Sequence, residues 1–174
     1  MDKNELIKVL KEFDDHLSSS FDIILIGGAA MILHFGASRT TRDVDVLILR
    51  GSLSELRQAI KAVAGERDFP EDWMSDAAKG FADIFLSDFY HRLVPLDFEF
   101  RNIRIYALGL PEQVALKIIA LREQDLEDLE LLLPRLSASE KNVLLSIMAN
   151  MSTFRPDWAQ KMRYFLEEQG WKIV

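Results

Sequence analysis

Leu6, Val9, Leu10, Phe13 and Leu17 recur at steps of three, one, three and four, one apolar stripe that predicts a helix ending near Ser18 to Ser20. Phe21 to Ile26 is a short β-branched run stopped by Gly27-Gly28, which predicts a buried strand and a tight turn, with a short helix over Ala29 to Phe35. After the polar turn Gly36 to Arg42, Asp43 and Asp45 alternate with Val44 and Val46 and lead into Leu47 to Leu49, a strand whose entry carries two acids on one face. Ser52 to Ala64 predicts a helix opened by a serine cap with Glu55 at capping-box spacing. A further helix is expected over Glu71 to Ala78. ADIFL, LVPLDFEF and IRIYAL, between Phe81 and Leu108, predict two or three more strands. Beyond Pro111 the period is helical throughout, with helices from Pro111 to about Arg122, Leu126 to Leu133, Ala138 to Met151 and Pro156 to Gln169, the last closed by Gly170. The expected fold is α/β (α+β): a mixed sheet flanked by helices over about 1–108, followed without a flexible linker by a helical part over 109–174.

Composition narrows the function. With 49% hydrophobic and 28% charged residues, the 174-residue chain has the material for a core and fits one domain, or a catalytic core with a small appendage. The 21 basic against 28 acidic residues give a formal charge of −7, the wrong sign for coating nucleic acid nonspecifically, so any polyanion contact must be local. The absence of cysteine excludes disulfides, thiolate metal sites and cysteine nucleophiles. The opening MDKNELIKVLKEFDDHL is charged throughout and reads as neither a signal peptide nor a membrane span, so the expected setting is the cytoplasm.

The chemistry concentrates in GGAAMILHFGASRTTRDVDV, residues 27–46. A strand, a glycine turn and a helix bring backbone N–H groups to a helix N-terminus, where partial positive charge favours phosphate. Glycine is needed there because a Cβ blocks close backbone approach. Asp43 and Asp45, two apart on a strand, project to one face, and paired carboxylates together with substrate phosphates suit Mg²⁺. A glycine turn followed by two such acids reads as a nucleoside-triphosphate site.

In the arrangement GG…RxTxDxD, Gly27, Gly28, Arg39, Thr41, Asp43 and Asp45 resemble the nucleotidyltransferase superfamily of the DNA polymerase beta type, and within it the small bacterial AbiEii-like branch. The resemblance covers roughly residues 23–133. It implies transfer of a nucleoside monophosphate from a nucleoside triphosphate to an acceptor hydroxyl, with Mg²⁺ or Mn²⁺ held by three acids. The third acid of that family lies on a later strand, where this chain offers Asp97, with Glu99 on the same strand face as its alternative. Lys117, followed by Asp125 and Asp128, resembles the lysine and acids of the family's helical part; Lys117 is then expected to neutralise the triphosphate or pyrophosphate, with Arg39 as a second phosphate clamp. Acceptors consistent with the resemblance are tRNA, a protein or a small molecule, and the toxin branch implies an antitoxin partner. One departure is Ala29 after Gly28, where many superfamily members carry serine.

Simpler readings exist for each residue. Lys117 on an apolar helix can snorkel, Asp125 and Asp128 can form a solvated face or pair with Arg122, Arg39 and Arg42 can pair with neighbouring acids, and His34 can serve packing alone. A dinucleotide-binding fold is excluded by spacing, because GGAAMI lacks GxGxxG. The rival function is a catalytically degenerate nucleotidyltransferase fold that binds or regulates.

Overall fold

The computed structural model describes residues 1–76, 80 and 83–173, and its contacts separate the chain into two compact units. The first is drawn from Met1–Gly80 and Leu93–Leu108, the second from Phe81–Arg92 and Gly109–Val174.

The first unit carries a mixed five-stranded sheet in the order β3-β2-β1-β5-β4, with β1 Phe21–Ile26, β2 Val44–Arg50, β3 Met74–Ser75, β4 Val94–Leu96 and β5 Ile103–Ala107. Central β1 runs antiparallel to β2 and parallel to β5, and its run FDIILI is buried at five of six positions, as expected of a strand covered on both faces. Helix α1, Lys3–Asp15, buries Leu6, Val9, Leu10 and Phe13, the stripe that predicts it. Asp14, at the end of that helix, is fully buried, and its carboxylate accepts the backbone N–H groups of Arg101, Asn102 and Ile103 at 2.7, 2.7 and 2.9 Å. It thereby fixes the entry into β5. Helix α3, Leu53–Arg67, is capped by Ser52 as its sequence predicts, but Glu55 turns its carboxylate to Ser18 and Ser19 instead of closing a capping box. Trp73 is buried with its indole N–H donating to the Ile60 carbonyl at 3.0 Å and its ring edge-on to Phe13.

Two expected elements take other forms. The helix expected over Glu71 to Ala78 is a turn and the two-residue strand β3 as far as Asp76, while Ala77 and Ala78 lie outside the described residues. Pairing of Val44 with Met74 and Asp45 with Ser75 claims this segment for the sheet edge. The strand expected at ADIFL is irregular turn from Asp83 to Leu86, with Ala82 outside the described residues, and a 3₁₀ turn follows at Phe89–Arg92.

The second unit is helical: α4 Leu110–Ala120, α5 Glu123–Leu132, α6 Ala138–Met151 and α7 Pro156–Glu168. Helix α4 is buried from Pro111 through Ile119, so it is the axis of this unit. Its end is fixed twice. Leu121 adopts φ +48°, and the Lys161 ammonium on α7 donates to the Ile119 carbonyl at 2.6 Å. Gly170, with φ +81°, closes α7. Among the described residues no helix is long and apolar enough to cross a membrane.

Candidate functional site

β1 delivers the chain to Gly27 at its end, and helix α2, Gly27–Ala30, continues as a π-helical turn over Met31–Phe35. Ile26, which precedes α2, gives its start no side-chain hydrogen bond. Gly27 holds φ +60°, a conformation other residues rarely adopt. A Cβ on Gly27 would lie 3.4 Å from Asp45 Oδ2. A Cβ on Gly28 would fall 2.6 Å from Thr41 Oγ1 and 3.4 Å from Arg39 Nη1. The second glycine is therefore required by the Thr41 side chain packed against it, a reason independent of any phosphate.

Thr41 is nearly buried, and its hydroxyl lies 3.1 Å from the Asp43 carbonyl and 3.3 Å from Asp43 Oδ1, both acceptors of its proton. Arg39, half-exposed, donates to the Thr40 carbonyl at 3.2 Å. Along β2, Val44 and Val46 are fully buried, whereas Asp43 just before the strand is exposed and Asp45 half-exposed. Both carboxylates thus leave the core side of the sheet together. The structure brings Gly27, Gly28, Arg39, Thr41, Asp43 and Asp45 into one place. Ser75, hidden from sequence reading by the expected helix, stands in register beside Asp45 on β3. A two-residue strand has too short a period to reveal it.

Asp97 is not brought to this place. The segment carrying Asp97 does not neighbour β2: the two edges of β2 are taken by β1 and β3, and β4 pairs only with β5 on the far side of the sheet. β4 also runs the wrong way. Val94 is level with Ala107 and Leu25, Leu96 with Ile105 and Ile23, so Asp97 follows at the level of Asp22, while Asp45 pairs with Ile26. Three strand spacings across and four residues along put Asp97 roughly 20 Å from Asp45. Glu99, two residues further along, is no closer in the sheet's order, and both acids are exposed beyond the end of β4. Among the described residues no three His, Cys, Asp or Glu side chains are grouped to hold a metal ion. The donor set at the glycine turn therefore fits one hard cation completed by phosphate oxygens, not a cage of three acids.

Lys117 belongs to the second unit. In the helical unit its ammonium lies 2.7 Å from Asp125 Oδ1 and 2.7 Å from Asp128 Oδ2, with all three side chains buried. Asp125 Oδ2 in addition accepts the Arg122 N–H at 2.9 Å, so this cluster pins the corner between α4 and α5. The charge expected to meet a triphosphate is committed to two buried acids. His34 packs edge-on against Phe35, with ring centroids 4.5 Å apart, and Arg42 is exposed.

A solved structure, that of an antigenic nucleotidyltransferase-like protein from Paracoccidioides brasiliensis, is 16% identical over 94% of each chain, with a TM-score of 0.49. No curated protein matches the chain. The family model described as nucleotidyltransferase of unknown function (DUF6036) matches residues 4–165, and the chain belongs to that family.

Proposed function

We propose that the protein binds a nucleoside triphosphate with Mg²⁺ or Mn²⁺ at Asp43 and Asp45 and transfers the nucleoside monophosphate to an acceptor hydroxyl, whose oxygen bonds to the α-phosphorus as the bond to the β-phosphate breaks and pyrophosphate leaves. The observation that carries this reading is the convergence of the glycine turn, Thr41 and the acid pair: Gly28 seats against Thr41, Gly27 against Asp45, and Thr41 hydrogen-bonds Asp43. Asp43 and Asp45 would hold the cation, which when bound supplies positive charge to the phosphates. Thr41 fixes the Asp43 carboxylate. The backbone N–H groups at the start of α2 and the Arg39 guanidinium would contact the phosphate oxygens. With Asp97 elsewhere, Asp43 and Asp45 are the carboxylates available to receive the acceptor proton. In the AbiEii-like frame the acceptor is tRNA or a protein, the partner an antitoxin and the setting cytoplasmic; a partner gene beside this one would support that frame.

The placement of Asp97 and Glu99 favours a second reading, a nucleotide-binding module without transfer. Two measurements separate them. Mg²⁺ with a nucleoside triphosphate at a hundred times Kd adds about 2.7 kcal/mol, a rise in Tm of about 5–10 °C for a chain of this size. Asp43→Asn with Asp45→Asn is expected to abolish that rise; an unchanged rise in the double variant refutes the site. Labelled nucleoside triphosphates incubated with cell extract then report transfer. Binding without transferred label establishes the module, whereas transfer that survives Asp97→Ala establishes catalysis by the two-acid site.

A further inference from the structure

We infer that the helical unit carries a second, unrelated binding site, for a small anionic amphiphile with a single alkyl chain, such as a medium-chain carboxylate. It lies in the hollow between α6 and α7, whose volume of about 640 Å³ is of the size that holds small molecules.

Each helix gives the hollow a stripe at helical spacing: Leu145, Met148 and Ala149 from α6, then Ala159, Gln160 and Arg163 from α7. Met148 and Ala159 are buried floor, and Leu145 is half-buried. The stripe on α6 widens the surface that this helix turns inward with Leu144, Ile147 and Met151, all fully buried, past Met148 to half-buried Leu145 and exposed Ala149. Methionine in the floor suits a flexible occupant, because its thioether repacks readily.

The charge of the lining is one-sided. Arg163 and Lys172 both border the hollow, Ile173 adds an apolar wall beside Lys172, and the described lining contains no acidic residue. In a chain of net charge −7 that bias is local. Arg163 meets Glu167 only at 3.9 Å, with both side chains 44% exposed, so its charge is little spent. An inorganic anion would satisfy the two cations and leave the floor wet, and a neutral hydrocarbon would do the reverse. An alkyl chain ending in a carboxylate satisfies both.

Isothermal titration of the full chain with hexanoate, octanoate and decanoate tests the assignment. Saturable one-to-one binding is expected, tightening roughly tenfold for each two-carbon step while methylenes continue to be buried. Decanol is expected to bind about tenfold more weakly than decanoate, since it lacks the charge that Arg163 and Lys172 recognise. Arg163→Gln with Lys172→Gln, both at exposed positions, should remove that preference and keep the chain-length dependence. Ala149→Phe, filling the groove from its rim, should remove the chain-length dependence; melting curves establish that both variants are folded. The inference is overturned if decanoate shows no saturable binding, if decanol binds as tightly, or if the glutamine variant still prefers the carboxylate.

Discussion

Replacing Lys117 by methionine removes the ammonium from a cluster in which Asp125 and Asp128 are 7% and 2% exposed and each lies 2.7 Å from it. Methionine fills nearly the same volume, so the change is electrostatic. What remains is two carboxylates in the interior, of which Asp125 Oδ2 keeps the Arg122 N–H at 2.9 Å and the Arg122 guanidinium at 3.9 Å. Removing one partner of a buried ion pair typically costs about 3–5 kcal/mol, because the other charge stays behind without compensation. For a chain of this length a kcal/mol corresponds to about 2–4 °C, so Tm is expected to fall by roughly 6–20 °C. Replacing the whole cluster, Lys117→Met with Asp125→Asn and Asp128→Asn, is expected to recover most of the loss, since a neutral set of similar shape often equals the ion pair it replaces. The amide introduced by Asp125→Asn still offers an oxygen to the Arg122 N–H. Scanning calorimetry on the wild type, the single variant and the triple variant checks the series. A Lys117→Met protein that melts with the wild type but no longer responds to Mg²⁺ and a nucleoside triphosphate would refute this reasoning and return Lys117 to the role of phosphate clamp.

Three further outcomes follow from contacts in the sheet unit. Gly28→Ala brings its Cβ to 2.6 Å from Thr41 Oγ1, so a loss of about 1–3 kcal/mol is expected, with partial recovery on adding Thr41→Ala; equal melting of Gly28→Ala and wild type would contradict the packing. Asp14→Ala leaves the N–H groups of Arg101, Asn102 and Ile103 without their acceptor, and urea titration should show a loss of about 3 kcal/mol, with Asp14→Asn between the two. Glu55 is held at a pKa of about 2 against an ordinary 4.5, chiefly by the Ser19 hydroxyl and then by the Ser18 N–H and hydroxyl. A depressed folded pKa stabilises above about 4.5 and is lost as the pH falls toward 2, so the stability gap between wild type and Glu55→Gln should be constant near neutrality and close across that window. A gap that does not change between about pH 5 and about pH 2 would sink the assignment.

What was legible in the chain was local. The stripe of α1, the run FDIILI, the serine cap of α3 and the period from Ala138 to Met151 each depend on neighbours a few residues apart, and each element lies where its pattern predicts. The glycine turn and the acid pair share this property. A short helical segment through Phe35 and the polar loop 36–42 join them, and antiparallel pairing of β1 with β2 folds Asp45 back against Ile26 and Gly27. The third acid depends instead on strand order. Alternation puts Asp97 and Glu99 on one face of an extended segment, but no local period says which strand that segment joins, and pairing of Val94 with Ala107 carries it away from β2. Lys117 was illegible for a related reason. Whether a lysine on an apolar helix snorkels or is enclosed depends on where the chain goes next, and here Leu121 in the left-handed region turns it so that Asp125 and Asp128 reach back to the ammonium. Of the charges that sequence resemblance assigned to one site, those close in the chain converge on the glycine turn. Asp97 and Lys117, more distant in the chain, are placed by the pairing of β4 and by the corner of α4, each of which has its own structural need for the position.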